Sequence, residues 1–311
     1  MRIVLVCVGL VFLLESCSYV ASPAFAPGLS SYNGMAADAS PDHALLYISS
    51  YNGHNVTVYT YRGQHVHYLE TLSKFSNPSA ECVDAHGNVF ITDLGNVYEY
   101  PHGGSKPIAV IRDKEGSPTG CSVDPGTGNL AVVNAYSPTG SSGNVLVYPS
   151  GHGPPKKYTD GNIYSPQFCA YDDAGNLYID GYANGTIQFR FAELPKGSRH
   201  IEDIAISGGT LHFPGGVVWD RPNVLVADQM YKDRAQSAIF ALSVVASKAQ
   251  VVKVVPLSDT VYVYQFWKQG DVVIAPTRNS FVPIDAYPSG KLVRTITQHI
   301  YDPYAAVVSQ P

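Results

Sequence analysis

An apolar run preceded by a tight polar turn recurs six times at nearly even spacing, and this recurrence limits the architecture more than any other feature. One copy runs Pro78…Asp84, Gly87-Asn88, Val89…Asp93, Asn96…Tyr100. Others run Pro118…Asp124, Gly128-Asn129, Leu130…Asn134, Asn144…Tyr148, then Pro166…Asp172, Gly175-Asn176, Leu177…Asp180, and then Pro214…Asp220, Asn223, Val224…Asp228. Weaker copies stand at Leu46…Ser50 and Val272…Pro276. The second apolar segment of each unit begins at 46, 89, 130, 177, 224 and 272, in steps of 43, 41, 47, 47 and 48 residues. Each step holds four short strands separated by turn residues, with no room for a helix.

Units of roughly 40–50 residues with four strands are blades of a β-propeller. Six starts predict an all-β, six-bladed propeller of four-stranded antiparallel blades over residues 42–311. The repeat, with its strand–Asp–x–x–Gly–Asn–strand–Asp pattern, resembles NHL-type propellers, which implies the fold and leaves function open. Composition agrees: of 25 acidic residues, 18 are Asp and 7 are Glu. Asp caps and bends the backbone where Glu propagates helices.

Ring closure is legible too. Pro303…Ser309 matches the proline-marked inner strands but has no second strand after it. Leu45–Ser50 begins the chain's first blade without an inner strand of its own. The C-terminal strand is therefore expected to complete blade one and remove an open sheet edge. The alternative is that Met35–Asp38 fills the slot. Two residues after the prolines stand Ala80, Gly120, Phe168, Gly216 and Ala305, mostly small, as crowding round an axis requires.

Ahead of the repeat, Met1–Cys17 reads as an export signal: Arg2, then the 12-residue apolar run Ile3–Leu14, too short to span a bilayer. Ala24-Phe25-Ala26 is one candidate cleavage site. Leu14-Glu15-Ser16-Cys17 abuts the apolar run and resembles a bacterial lipobox, which implies lipidation at Cys17 and a membrane anchor in the cell envelope. Residues 18–41, rich in Ser, Ala, Pro and Gly, read as a flexible tether.

A net charge of −5 argues against a nucleic-acid surface, and the chain is expected to act as a monomer. No C-x-x-C, H-E-x-x-H, P-loop or G-x-S-x-G occurs. Cys82, Cys121 and Cys169 are expected to be small core residues, because packed sheets lie about 10 Å apart and a disulfide needs much closer Cα atoms. His65 and His67 alternate on an outer strand, as a solvated pair. The Asp-x-x-Gly-Asn turns lack the alternating acids of a calcium loop, so no metal site or cofactor is expected.

Strand parity puts the short stereotyped turns on one face and the long variable loops on the other. The loop face collects Tyr51, Tyr136, Tyr182 and Tyr231, with Asp93, Asn134, Asp180 and Asp228 closing the second strands. These eight residues are the candidate ligand-binding set. Rings beside carboxylates and amides suit a glycan or another neutral polar ligand, or a peptide or protein partner. The four polar residues also belong to the repeat and have a second expected role, bracing its loops. Glu81 is the single ionisable side chain inside a proline-marked inner strand. Facing the channel it would be a candidate acid/base group. Six-bladed lactonases of the gluconolactonase type, which hold a divalent cation at the channel mouth, supply the alternative function, as does a propeller lyase. Their early Glu-Gly-Pro-x-Trp stretch has no match: Pro214-Gly-Gly-Val-Val-Trp219 places Gly where the acid belongs.

Overall fold

A computed structural model describes residues 43–311 apart from 64, 235, 259 and 261. The expected export signal, Cys17, the tether and Met35–Asp38 lie outside the described residues. Six antiparallel sheets form the blades. Their second strands are Leu45–Ser50, Val89–Asp93, Leu130–Tyr136, Leu177–Tyr182, Asn223–Met230 and Val272–Ile274, at the positions the repeat marks. Six apolar clusters hold the ring. Each is shared by two consecutive blades, and the last joins Leu46, Ile48 and Ala306 of blade one to Val272, Ile274 and Val282 of blade six.

The closing strand is Pro303–Ser309. It pairs antiparallel with Leu45–Ser50, placing Leu46 opposite Val308 and Ile48 opposite Ala306. Every residue of the partner strand Leu45–Ser50 is buried, so this edge is sealed by apolar contact as well as by the ladder. The inner strands are as crowded as their small residues suggest. A Cβ on Gly120 would lie 2.7 Å from the Gln167 carbonyl oxygen, and one on Gly216 would lie 2.9 Å from the Phe266 amide nitrogen. Blade five departs from the four-strand plan: Ala205–Ser207 adds a short parallel strand to the outer edge of Lys248–Pro256.

The cysteines correct the sequence reading. Cys82 and Cys121 form a disulfide, with Cα atoms 5.7 Å apart, while Cys169 is free and buried. Two geometric facts explain it. Blades splay like wedges, so inner strands approach far more closely than the 10 Å of parallel sheets. Moreover, opposite faces of successive blades look at each other across one interface. Cys82, four residues after its proline, points from blade two toward blade three. Cys121, three after its own, points back, and both belong to one cluster with Val132 and Leu146.

Candidate functional site

The short-turn face satisfies its own polar groups. Asp84 accepts hydrogen bonds from the His86 and Asn88 backbone amides and from Asn88 Nδ2, at 2.8–2.9 Å. Asp172 does the same with Ala174 and Asn176. Asp124 binds Gly126 N and the Thr127 hydroxyl. These are Asx turns closed by a positive-φ Gly87, Gly128 or Gly175.

On the loop face, the four polar candidates are buried braces. Asp93 accepts from the Ser76 and Asn77 amides. Asn134 donates to Asp113 at 2.9 Å and to Asn144 at 3.1 Å. Asp180 accepts from the Phe168 amide at 2.9 Å, and burial pushes its carboxyl well up from the usual carboxylate range. Asp228 accepts from the amides of His212, Phe213 and Met230 and from His212 Nδ1, at 3.0–3.2 Å. All four are 0–1% exposed; Asp93, Asn134 and Asp228 hold the segment that leads into their blades, and Asp180 holds the inner strand of its own.

The aromatic candidates divide. Tyr51, Tyr136 and Tyr182 line a cavity of about 660 Å³ at the mouth of the central channel, a size within the roughly 300–1,000 Å³ of small-ligand sites. Tyr231 is elsewhere: it begins the short helix Tyr231–Arg234 and meets Phe240 edge to face, with ring centres 5.6 Å apart.

Two columns of the repeat build the cavity wall. One is the residue just after the inner-strand proline: Ser79, Thr119, Gln167 and Tyr304. The other lies one or two residues past the second strand's closing position: Tyr51, Leu94, Tyr136, Tyr182 and Arg278. Tyr264, at the entry to blade six, completes a stack. Its ring lies 4.4 Å from Tyr304 at 10°, Tyr304 lies 5.6 Å from Tyr51, and Arg278 sits over Tyr264 at 5.7 Å. Burial raises the phenol pKa of Tyr182, Tyr264 and Tyr304, so they remain neutral hydroxyls at physiological pH. Sequence reasoning missed Tyr264, Tyr304, Arg278 and Asp302. For Tyr304 the post-proline column was the signal available, since the residue there lines the cavity in blades one to four.

Glu81 does not face the channel. It pairs across the sheet with Ile91, and Ile91 packs with Tyr47 and Val307 of blade one. The carboxyl is fully buried, both its oxygens lack a hydrogen-bond partner, and desolvation raises its pKa well above the carboxylate range. Its backbone, by contrast, is bridged to blade six: the Glu81 amide donates to Gln265 Oε1 at 3.0 Å, and Gln265 Nε2 donates to the Glu81 carbonyl. Expected as a channel acid, Glu81 is sealed in a blade interface. His65 and His67 stand exposed on the outer strand His65–Leu72. Among the described residues, no three His, Cys, Asp or Glu side chains are grouped to hold a metal.

A larger cleft of about 1,100 Å³ runs along blades four and five beside Ile187, Phe189, Ile206, Leu211 and His212. Its lining brings Phe189, Phe191 and Phe213 beside Asn162 and Gln188, but it has none of the tyrosines that converge at the channel mouth.

No protein-family model matches the chain, and no curated protein matches it in sequence. Solved structures do match in fold. A chain of the nidogen–laminin complex superposes with a TM-score of 0.69 at 14% identity, covering 86% of this chain and 100% of that one. A protein of unknown function from Bacteroides caccae gives 0.64 at 11% identity, over 86% and 100%. A candidate 6-phosphogluconolactonase from Bacteroides fragilis gives 0.59 at 11% identity, over 86% and 98%. At such identities the likeness is one of fold. The class of protein is a six-bladed β-propeller.

Proposed function

We propose that this protein is an exported, envelope-anchored β-propeller that binds a saccharide at the mouth of its channel. The observation that carries this role is the convergence of five tyrosines with neutral amides and hydroxyls, from blades one, two, three, four and six, on one cavity. Tyrosine rings stack on the C–H faces of sugar rings, while Asn77, Gln167 and Thr119 offer hydrogen bonds that a polyol can return. Export is supported by the Cys82–Cys121 disulfide, because such bonds persist in oxidising compartments. The lipobox-like Cys17 and the tether that follows would hold the propeller at a membrane. Binding is favoured over metal-dependent lactone opening or a lyase reaction, because the buried acids of this face brace loops and Glu81 is sealed.

A thermal-shift screen tests the role. Neutral oligosaccharides are expected to raise Tm in the intact protein, and the shift is expected to shrink in Tyr136→Ala. A shift produced by divalent cations alone, with none from any saccharide, would favour the lactonase alternative instead.

A further inference from the structure

We infer that the saccharide taken at the channel mouth carries a carboxylate, as a uronic acid does, and that Arg278 receives it. The inference rests on the saccharide-binding role proposed above and specifies its ligand class.

Among the described residues lining the cavity, Arg278 is the one cation and Asp302 the one acid. The two are not equivalent. Asp302 is committed to the fold: its Oδ2 accepts from Asn52 Nδ2, and its carbonyl accepts from the Tyr51 amide at 3.2 Å. It therefore fixes the loop that presents Tyr51. Arg278 makes neither a hydrogen bond nor an ion pair with any described residue, and its recorded contact is the Tyr264 ring. A guanidinium set over a ring with no hydrogen-bonded partner keeps its N–H donors available, and that fork matches the two oxygens of a carboxylate. The stack Arg278–Tyr264–Tyr304–Tyr51 places this fork at one end of an aromatic platform. A sugar ring lying on the exposed Tyr51 or Tyr136 ring would meet neutral donors along its hydroxyl edge and a positive charge at one end.

The charge count narrows the class further. One arginine beside one carboxylate suits a single delocalised negative charge. A phosphate monoester carries close to two and calls for further cations or a helix N-terminus, and the cavity lining provides neither.

Titration calorimetry with matched probes tests the assignment. The probes are oligomers of galacturonate, guluronate, mannuronate and glucuronate, each beside its carboxyl-reduced neutral counterpart, and a sulfated oligosaccharide. At least one uronate is expected to bind about tenfold or more tightly than its reduced form, and Arg278→Gln is expected to erase that difference. Arg278→Lys, which keeps the charge without the fork, is expected to restore it in part. Arg278 is exposed, so an unchanged Tm shows each variant to be folded. Equal binding of acid and reduced forms, an acid preference that survives Arg278→Gln, or a stronger response to the sulfated probe would overturn the inference while leaving saccharide binding intact. Binding of no saccharide of either kind would remove the saccharide role and the inference together.

Discussion

The two faces of the wheel are made from the same repeat and use their polar groups differently. On the short-turn face, Asp84, Asp124 and Asp172 bond the backbone of their own turns. On the loop face, Asp93 and Asp228 bond the strand entries of their own blades. Thus the acids that recur with the repeat serve the fold wherever they lie. What distinguishes the loop face is what varies from blade to blade. The position at or just past the end of the second strand is Tyr51, Leu94, Tyr136, Tyr182, Met230 or Arg278, and these side chains, unlike the acids, are partly open to solvent. Repetition builds the frame, and variation at two columns builds the cavity.

The sharpest way to break this comparison is to remove one recurrent acid from each face. Asp172→Ala and Asp228→Ala each leave several half-buried N–H groups without their acceptor, and each is expected to cost about 2 kcal/mol in denaturant unfolding. Saccharide affinity of the folded fraction is expected to stay unchanged in both. A loss of affinity in Asp228→Ala with full stability would make that acid part of the site and would dissolve the distinction.

Glu81 sharpens it from the middle of the molecule, as a polar group that neither face uses. Its folded pKa is raised, so below about pH 4 both states hold the proton and ionisation of this residue costs the fold nothing. As pH rises through the ordinary carboxylate range, the unfolded chain releases the proton while the folded one retains it, and stability falls. Glu81→Gln cannot titrate. It is expected to be the more stable of the two at about pH 8, with the gap closing toward about pH 4. Asp113 and Asp180, whose pKa values burial also raises, remain in both proteins and cancel in the difference. Parallel Tm–pH curves would show that Glu81 ionises freely, and an accompanying loss of saccharide binding would return it to the channel.

Much of the frame was legible because each blade repeats one problem: burying a second strand on both faces demands a continuous apolar run, and six such runs cannot be hidden. The clasp was legible because Pro303 begins an inner strand that has no successor. The disulfide was not, because sequence parity shows which face a cysteine takes but not how closely two inner strands converge. Arg278 was hidden for another reason. It stands in a weak copy of the repeat, where Pro276 occupies the position that Asp fills in blades two, four and five, so its column could be recognised only after the strands were paired. Tyr304 was read as part of the clasp and is also part of the cavity wall.

Tyr136 carries the smallest expected effect on the fold and the most selective one on function. It is 47% exposed, ends its strand, and its side chain braces no loop. Tyr136→Ala is therefore expected to shift stability by less than about 0.5 kcal/mol, the range of surface substitutions. Its ring, however, lines the same cavity as the Tyr51–Tyr304 stack, and a sugar bound there loses a stacking partner. Affinity is expected to fall roughly tenfold, which is about 1.4 kcal/mol and near the upper end of what an aromatic pair contributes beyond its buried area. Calorimetry and denaturant titration on the same variant separate the two quantities. If instead Tyr136→Ala unfolds the protein at lower denaturant and leaves affinity untouched, the variable column belongs to the frame, and the loop face differs from the turn face in sequence alone.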